Sequence, residues 1–382
     1  MLINRIMESP FEYNKYVSGA QFIGRNKEVA HLCSLIREHN NVLIYGPAKI
    51  GKQSLVYNSM ELLRHDHKDI TFCDINLFNI RCVEAMMLRF TNEIISHFAA
   101  TDTEWNSILH KYIPSAPYMI DTSSLQKQFT YTTKELLTDS QIEEILMLPD
   151  KLAREYGTHV IFYFRQFQDI LLFDDPHRTF LLLEKVWKKH TSTTFIITGD
   201  RFNAMEEIFQ EKKYFYQFAH KIDLPPIDEK IFAEYIVKGF QKGGKVIHPE
   251  QATTIYNLVE GDPWYTQHLA SICFSLTKGF VNEGIIKQAT QQLINLHDYE
   301  FHSIVYSLSK YQVRMIKAAL EGVIKFTSAD VLDKYRLNSS ANVSRLKEAL
   351  SKKEIMTFNE KNPATFLDPL FKLWFINYFF AE

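Results

Sequence analysis

The stretch that decides the fold of this chain is Gly46-Pro47-Ala48-Lys49-Ile50-Gly51-Lys52-Gln53-Ser54-Leu55. It fits the pattern G-x-x-x-x-G-K-[ST] except at its last position, where Gln53 replaces the hydroxyl residue. In such a loop the glycines let backbone amides point at phosphate oxygens, the following helix adds its positive end, and the lysine reaches the terminal phosphates. The stretch therefore predicts a phosphate-binding loop, and the exchanged residue bears on whether a bound nucleotide could be hydrolysed.

The segments on either side supply the strand and the helix that such a loop needs. An apolar run at 41–45 leads into the loop, and apolar residues recur at helical spacing after it. Farther along, strand patterns at 70–75, 159–164 and 194–198 alternate with helix patterns at 83–98, 142–156 and 180–190. This alternation predicts an α/β fold with a mostly parallel sheet and helices on both faces.

Two further segments complete this part of the chain. Residues 101–133 are polar and contain Pro114 and Pro117, so we expect an irregular insertion there. Pro225-Pro226 then ends the alternation. We accordingly assign 1–226 to a nucleotide-binding domain.

The remainder of the chain shows helical periodicity first and a mixed pattern afterwards. Residues 227–300 read as an all-helical lid, in which Asp262 and Pro263 mark a helix start. Residues 301–382 read as a winged helix. Their pattern predicts three helices, at 310–321, 328–335 and 341–352, followed by an extended stretch at 355–367.

Bulk composition is that of an ordinary globular protein. The 382 residues are 46% hydrophobic and 23% charged, and the net charge of -2 argues against a protein coated in nucleic acid. The four cysteines are scattered without metal-ligand spacing, which favours a reducing cytoplasm. We expect no signal peptide and no membrane partner, and we expect the apolar tail 366–380 to be a terminal core helix.

The positions that normally hold magnesium in a phosphate-binding site carry unusual residues. Gln53 offers an amide oxygen on a longer arm than the usual hydroxyl, and this suits the tight octahedron of Mg²⁺ poorly. At the end of the strand 159–164, Arg165 and Gln166 stand where acidic residues would serve metal and water. Arg165 has two interpretations at this stage. It could bring positive charge to the phosphates, or it could pair with Asp200, Asp169 or Asp74.

Several motifs together resemble those of the AAA+-related STAND-type ATPases, in particular the archaeal-type ATPase branch. The loop 46–55 is similar to G-P-R-R-x-G-K-T-S-L. Residues 164–170 resemble I-D-E-F-Q-E-I, with Arg165 and Gln166 in place of its Asp-Glu pair. The remaining similar segments are Phe22-Ile23-Gly24-Arg25, Ile197-Thr198-Gly199-Asp200, Gly261-Asp262-Pro263-Trp264-Tyr265 and Asp368-Pro369-Leu370-Phe371-Lys372-Leu373-Trp374.

The resemblance implies a switch that binds ATP or ADP and signals through its lid and winged helix. It places the segment 22–25 near the adenine and the turn at Pro263 over the nucleotide. The exchanged residues then imply weak or absent hydrolysis, without an anchored Mg²⁺ and without a catalytic residue. The expected nucleotide-binding residues are Phe22, Ile23, Arg25, Gly46, Pro47, Ala48, Lys49, Ile50, Gly51, Lys52, Gln53, Ser54, Arg165 and Pro263.

The winged-helix segment leaves the partner open. Residues 301–358 carry ten Lys and Arg against five acidic residues, a net charge of +5. Arg345 and Lys347 on the candidate recognition helix could contact DNA, but so modest a patch favours a protein partner. The alternatives to a nucleotide switch are thus a DNA-binding regulator and an interaction scaffold with a vestigial nucleotide site.

Overall fold

The computed structural model describes residues 8–66, 69–121, 130–132, 136–210, 213–359 and 362–379. The chain divides into two compact units. The first, here called the sheet unit, comprises 27–46 and 55–224, and the second, here called the C-terminal unit, comprises 1–26, 47–54 and 225–382. The lid and winged-helix segments therefore share one unit with the N-terminal segment and with most of the glycine loop.

Parallel strands form the centre of the sheet unit. The strands of the described residues are β1 (Val42–Tyr45), β2 (Ile70–Asn76), β3 (Met119–Asp121), β4 (Thr130–Thr132), β5 (His159–Arg165), β6 (Thr193–Thr198), β7 (His220–Asp223), β8 (Met356–Thr357) and β9 (Thr365–Phe366). Five of them pair in parallel in the order β2-β5-β6-β1-β7. Every residue of β6 and the interior of β5 are buried, as expected for a sheet covered on both faces. The predicted α/β fold class is confirmed.

Helices connect and cover these strands. In the described part of the sheet unit and its boundary they are α1 (Asn26–Arg37), α2 (Lys52–Asp66), α3 (Val83–Ser96), α4 (Asp102–Tyr112), α5 (Asp139–Leu146), α6 (Leu148–Tyr156), α7 (Pro176–Trp187) and α8 (Phe202–Phe209). Short 3-10 helices lie at Gly19–Gln21 and Phe167–Leu172. The helices of the C-terminal unit are α9 (Glu229–Lys242), α10 (Pro249–Leu258), α11 (Pro263–Leu276), α12 (Glu283–Tyr306), α13 (Lys310–Leu320), α14 (Ala329–Lys334), α15 (Ser340–Lys352) and α16 (Pro369–Phe379).

The segment 101–133 differs from the expected irregular insertion. It contains α4 and the antiparallel pair β3–β4, while 122–129 and 133 lie outside the described residues. Helix α4 begins with a capping box in which Thr101 and Glu104 satisfy each other's backbone amides. The Thr101 and Glu104 spacing is a local sequence pattern typical of a helix start, but the polar residues around it favoured an irregular segment.

Aromatic side chains fill much of the core of the sheet unit. Trp187 stacks on Phe195 of β6 with 4.2 Å between ring centroids. Phe90 of α3 stacks on Phe162 of β5 at 4.5 Å. Such stacks fix the rotation of α3 and α7 against the sheet, because offset rings add about 0.5–1.5 kcal/mol beyond the area they bury.

The C-terminal unit has a core of its own that joins lid and winged-helix segments. Val343, Leu346 and Leu350 form the buried face of α15, as their helical spacing predicts. The apolar tail forms α16, whose Leu370, Phe371, Trp374 and Phe375 are buried in this core. The tail is therefore a terminal core helix, as predicted, and among the described residues we find no helix with the length and apolarity needed to cross a membrane.

The turn before α11 depends on glycine, and we expect Gly261→Ala to destabilise the protein by about 2–6 kcal/mol. Gly261 has φ +72°, and a Cβ there would lie 2.4 Å from the Tyr256 ring. Backbone strain and overpacking then add, each at about 1–3 kcal/mol. Gly244→Ala is the matched control, because Gly244 has φ +64° with nothing within 4 Å of its Cβ position. Chemical denaturation would measure the free energy of unfolding of both variants. Equal losses of this free energy in Gly261→Ala and Gly244→Ala would refute the predicted clash.

Candidate nucleotide-binding loop

The glycine loop links β1 to the first turn of α2, and two of its central residues have positive φ. Gly51 has φ +98° and Lys49 has φ +64°. The backbone angle at Gly51 favours glycine, because side chains rarely tolerate a φ of +98°. A Cβ there would meet nothing within 4 Å, so the space beside this residue is open. Lys52 is the first residue of α2, and its buried ammonium donates a hydrogen bond to the Pro47 carbonyl. The loop thus gathers a helix N-terminus and a cation around its own opening.

The central residue of the loop contacts the start of lid helix α11. The Lys49 ammonium lies 4.1 Å from the centroid of the Trp264 ring and 4.8 Å from that of Tyr265. It also lies 3.4 Å from the Tyr265 hydroxyl, which donates to Asp368 Oδ2 at 2.8 Å. A continuous chain of contacts therefore runs from the loop through α11 to the residue that precedes α16.

The N-terminal segment Phe22–Arg25 lies in the same unit as most of the loop. Gly24 has φ +67°, and a Cβ there would lie 2.5 Å from Ile227, so this backbone passes tightly against the start of the lid. The buried Arg25 donates to the Pro225 carbonyl at 2.6 Å. A cavity of about 430 Å³ borders Ile23 and is also lined by Tyr235, Lys238 and Lys242, among others. Its volume is within the range of small-molecule sites.

Ser54 and Gln53 differ in what their side chains do. Ser54 is buried, and its Oγ accepts a hydrogen bond from the Val17 amide at 3.1 Å, so its hydroxyl anchors the N-terminal segment. Gln53 is only half-buried. As a metal ligand, Gln53 offers an amide oxygen in place of the usual hydroxyl. This longer side chain does not fit the compact octahedral coordination of Mg²⁺.

Arg165 pairs with Asp74, one of the three carboxylates considered from the sequence. Its Nε donates to Asp74 Oδ1 at 2.8 Å, and the Tyr57 hydroxyl donates to Asp74 Oδ2. The register explains this choice, since Asn76 lies opposite Arg165 and Asp74, two residues earlier on β2, shares that face. A role of Arg165 at a phosphate stays a prediction.

Asp200 is bound by a different residue. Gln166, in the left-handed backbone region at φ +55°, donates from Nε2 to Asp200 Oδ2 and accepts from Gln168 Nε2 at 2.7 Å. The carboxyl end of β5 therefore presents a guanidinium and an amide, and the two nearby carboxylates accept their hydrogen bonds. This arrangement suits a polar network better than the coordination of a hard cation.

The Asp262 carboxyl group, beside the loop, has a shifted pKa. It caps α11 by accepting from the Tyr265 amide at 2.8 Å. Burial raises its pKa to about 7, and the neighbouring Asp368 adds to this effect while Lys49 opposes it. The carboxyl group thus titrates near neutral pH within the Lys49–Tyr265–Asp368 chain of contacts.

We expect Asp262→Asn to stabilise the protein at pH 8 and to change little at pH 4. Because the folded pKa is raised above the ordinary value of 3.8, folding favours the protonated form, and the wild type loses stability as pH rises from about 4 to about 7. At 1.36 kcal/mol per pKa unit the loss is at most about 4 kcal/mol. Asparagine keeps the cap and cannot ionise. Urea unfolding across this pH range would test the prediction. A difference in the free energy of unfolding between the two proteins that stays constant with pH would contradict it.

The site contains residues that the sequence did not single out as ligand contacts. Trp264, Tyr265 and Asp368 stood in motifs of the resemblance, but only the structure shows that Lys49 contacts the two aromatic residues and that Tyr265 binds Asp368. A sequence signal was present in the two adjacent aromatics directly after Asp262-Pro263. Adjacency in the chain did not reveal that a lysine more than 200 positions earlier lies over their rings.

Comparisons with known proteins agree with this architecture. A family model described as "Probable winged helix domain" matches residues 299–377. The Walker-type ATPase paby2304 of Pyrococcus abyssi has a similar structure, with a TM-score of 0.67, 16% identity, and coverage of 95% of this chain and 99% of that one. The Aeropyrum pernix ORC2 protein, solved in ADPNP-ADP complexes, gives a TM-score of 0.55 at 12% identity, with 99% of both chains covered. No curated protein matches the sequence. At these identities the structural likeness shows the fold alone, which is similar to that of the paby2304 protein, and the family model identifies the winged helix at 299–377.

Proposed function

We propose that this protein binds ATP or ADP at Gly46–Ser54 and acts as a nucleotide-dependent switch with weak or absent hydrolysis. The observation that carries the proposal is the loop itself, with open space beside Gly51 and the Lys52 ammonium held at the Pro47 carbonyl. Phosphate oxygens are the ligands such a loop attracts. The base would lie beside Phe22, Ile23 and Arg25, near the cavity that borders Ile23. Nucleotide in the similar ORC2 protein supports this assignment.

The proposed lack of efficient hydrolysis rests on the residues at three positions. Phosphoryl transfer in P-loop enzymes depends on a metal held by a hydroxyl and a carboxylate, and on a residue that orients the attacking water. Here Gln53 replaces the hydroxyl residue, Arg165 is the last residue of β5, and Gln166 follows it. We infer that binding persists because the backbone amides and Lys52 provide most of the phosphate contacts.

The proposed signal passes from the loop to the winged helix through Lys49. In this structure the Lys49 ammonium lies over Trp264 and Tyr265. A bound phosphate competes for that ammonium, because a charge-assisted hydrogen bond is stronger than a partly exposed cation–π contact. Release of Lys49 would leave Tyr265 and Asp368 free to rearrange at the start of α16.

We infer that the winged helix contacts a protein partner. Several of its cations already have partners, which reduces the charge available for a phosphate backbone. Lys334 pairs with Glu321 at 2.8 Å, and Lys352 pairs with Glu348 at 2.7 Å. Lys347 lies 5.4 Å from the Phe326 ring centroid. A gel shift that is salt-sensitive and weakened by Arg345→Ala would favour the DNA-binding alternative instead.

Isothermal titration of the purified chain with ATP and ADP, in Mg²⁺ and in EDTA, tests the proposal. We expect binding in both buffers with similar affinity and one nucleotide bound per chain. Loss of ATP binding in EDTA would contradict a metal-independent site. Absence of binding in both buffers would favour the scaffold with a vestigial loop. A parallel phosphate-release assay is expected to show no turnover above that of the Lys52→Ala variant.

A further inference from the structure

Three metal-ligating side chains of the sheet unit converge outside the glycine loop. Cys73 lies on β2, Glu93 lies in the last turn of α3, and His97 follows directly after that helix. One ligand atom from each, a sulfur, a carboxylate oxygen and an imidazole nitrogen, lies within 4.8 Å of the other two. His97 Nε2 and Glu93 Oε1 are 3.6 Å apart.

The local structure explains why these side chains meet. Glu93 and His97 are four positions apart, so they project from the same face of α3. Successive side chains of a strand alternate, and Asp74 points toward Arg165 and Tyr57, which leaves Cys73 on the opposite face of β2. The sulfur is fully buried, whereas Glu93 and His97 remain about one-third exposed. The cluster therefore has a buried inner ligand and two outer ligands that solvent can reach.

We propose that Cys73, Glu93 and His97 bind a borderline-soft divalent cation of the Zn²⁺ class, with water as the fourth ligand. Thiolate, imidazole and carboxylate are the ligands that Zn²⁺ prefers. Tetrahedral coordination at the usual bond lengths separates neighbouring ligand atoms by about 3.3–3.7 Å. The His97–Glu93 separation already has that value, and small rotations of these two exposed side chains bring both toward the sulfur.

Binding has a defined proton balance. The neutral Cys73 thiol loses its proton to solvent as the sulfur–metal bond forms, so one proton is released for each ion bound. Burial, followed by the charge of Glu93, raises the pKa of the free Cys73 thiol well above its usual range. A bound dication reverses that effect. Glu93 can serve both neighbours, because one carboxylate oxygen can accept from the Asp74 amide while the group ligates the ion.

The ion would tie the end of α3 to β2 at the residue next to Asp74. It would not take part in nucleotide binding, and the inference does not rest on the proposed switch. Since the unfolded chain does not hold the three ligands together, the bound ion would stabilise the sheet unit in proportion to its affinity.

Cobalt titration of the reduced full-length chain, with optical absorption as the readout, tests this site. We expect the visible bands of tetrahedral Co²⁺ and a near-ultraviolet sulfur-to-cobalt band, saturating at one ion per chain. Cys73→Ser should abolish the sulfur band. His97→Ala and Glu93→Gln should weaken binding at least about tenfold. The matched control is Cys82→Ser, since Cys82 is a free, half-buried cysteine immediately before α3.

A Zn²⁺ thermal shift provides a second measurement that does not require a change in the buried cysteine. The ion should raise the unfolding midpoint of the wild type and of Cys82→Ser, and it should have little effect on the midpoint of His97→Ala. An octahedral cobalt spectrum, a sulfur band lost in Cys82→Ser, or equal zinc stabilisation of His97→Ala would each overturn the proposal.

Discussion

Lys52→Ala is expected to weaken ATP and ADP binding by about 10- to 100-fold. The ammonium is buried at the opening of the loop, where it would donate to a terminal phosphate after leaving the Pro47 carbonyl. Hydrogen bonds to charged groups contribute roughly 1.5–3 kcal/mol, which corresponds to this range of affinity. If the site holds no metal, this cation is the main positive charge on the phosphates. Titration calorimetry with each nucleotide measures the loss.

A matched lysine variant separates this effect from a change in overall charge. Lys278 is exposed two residues after the end of α11, and Lys278→Ala should bind nucleotide as the wild type does. Circular dichroism and the unfolding midpoint of Lys52→Ala should stay close to wild type. An unchanged nucleotide affinity in Lys52→Ala would show that the loop does not serve as the phosphate site.

The parts of the fold that the sequence revealed are those set by local pattern. The apolar run before the glycines, the buried strand at 159–164 and the Asp262-Pro263 helix start all occur as expected. Other features depend on neighbours in space. Strand β7 is four residues long and mostly exposed, and it exists because it pairs with β1. The helix expected at 142–156 is interrupted at 147 and continues as α6, in whose first turn Pro149 lies.

The candidate site shows the same division between local and long-range information. The glycines and Lys52 predict a phosphate loop from the sequence alone, because the residues of that motif lie within one short stretch. Arg165 had three possible carboxylate partners, and only the register of β2 against β5 selects Asp74. The contact of Lys49 with Trp264 and Tyr265 joins distant parts of the chain, so no periodicity or spacing predicts it.

Tyr265→Phe is expected to uncouple the loop from the winged helix while preserving nucleotide binding. The Tyr265 hydroxyl contacts Lys49 at 3.4 Å and Asp368 at 2.8 Å, and the Asp368 carboxylate also accepts from the Leu370 and Phe371 amides that begin α16. Removing the hydroxyl leaves the ring packed but breaks the polar link. Loss of about 1.4 kcal/mol from this link would speed amide exchange at the start of α16 about tenfold. Hydrogen exchange with and without ATP is the measurement.

The response to nucleotide distinguishes coupling from simple loss of stability. In the wild type, ATP should change exchange in the first turn of α16, because phosphate draws Lys49 away from Tyr265. In Tyr265→Phe that turn should exchange at the faster rate whether or not ATP is bound. Tyr299→Phe makes the same chemical change at a residue that is 89% exposed on α12, and it should respond as the wild type does. If Tyr265→Phe retained a full response to ATP, the signal would have to leave the loop by a route that does not involve the hydroxyl. A full response in Lys49→Ala as well would show that the signal does not pass through Lys49, because that variant also loses the contacts with the Trp264 and Tyr265 rings.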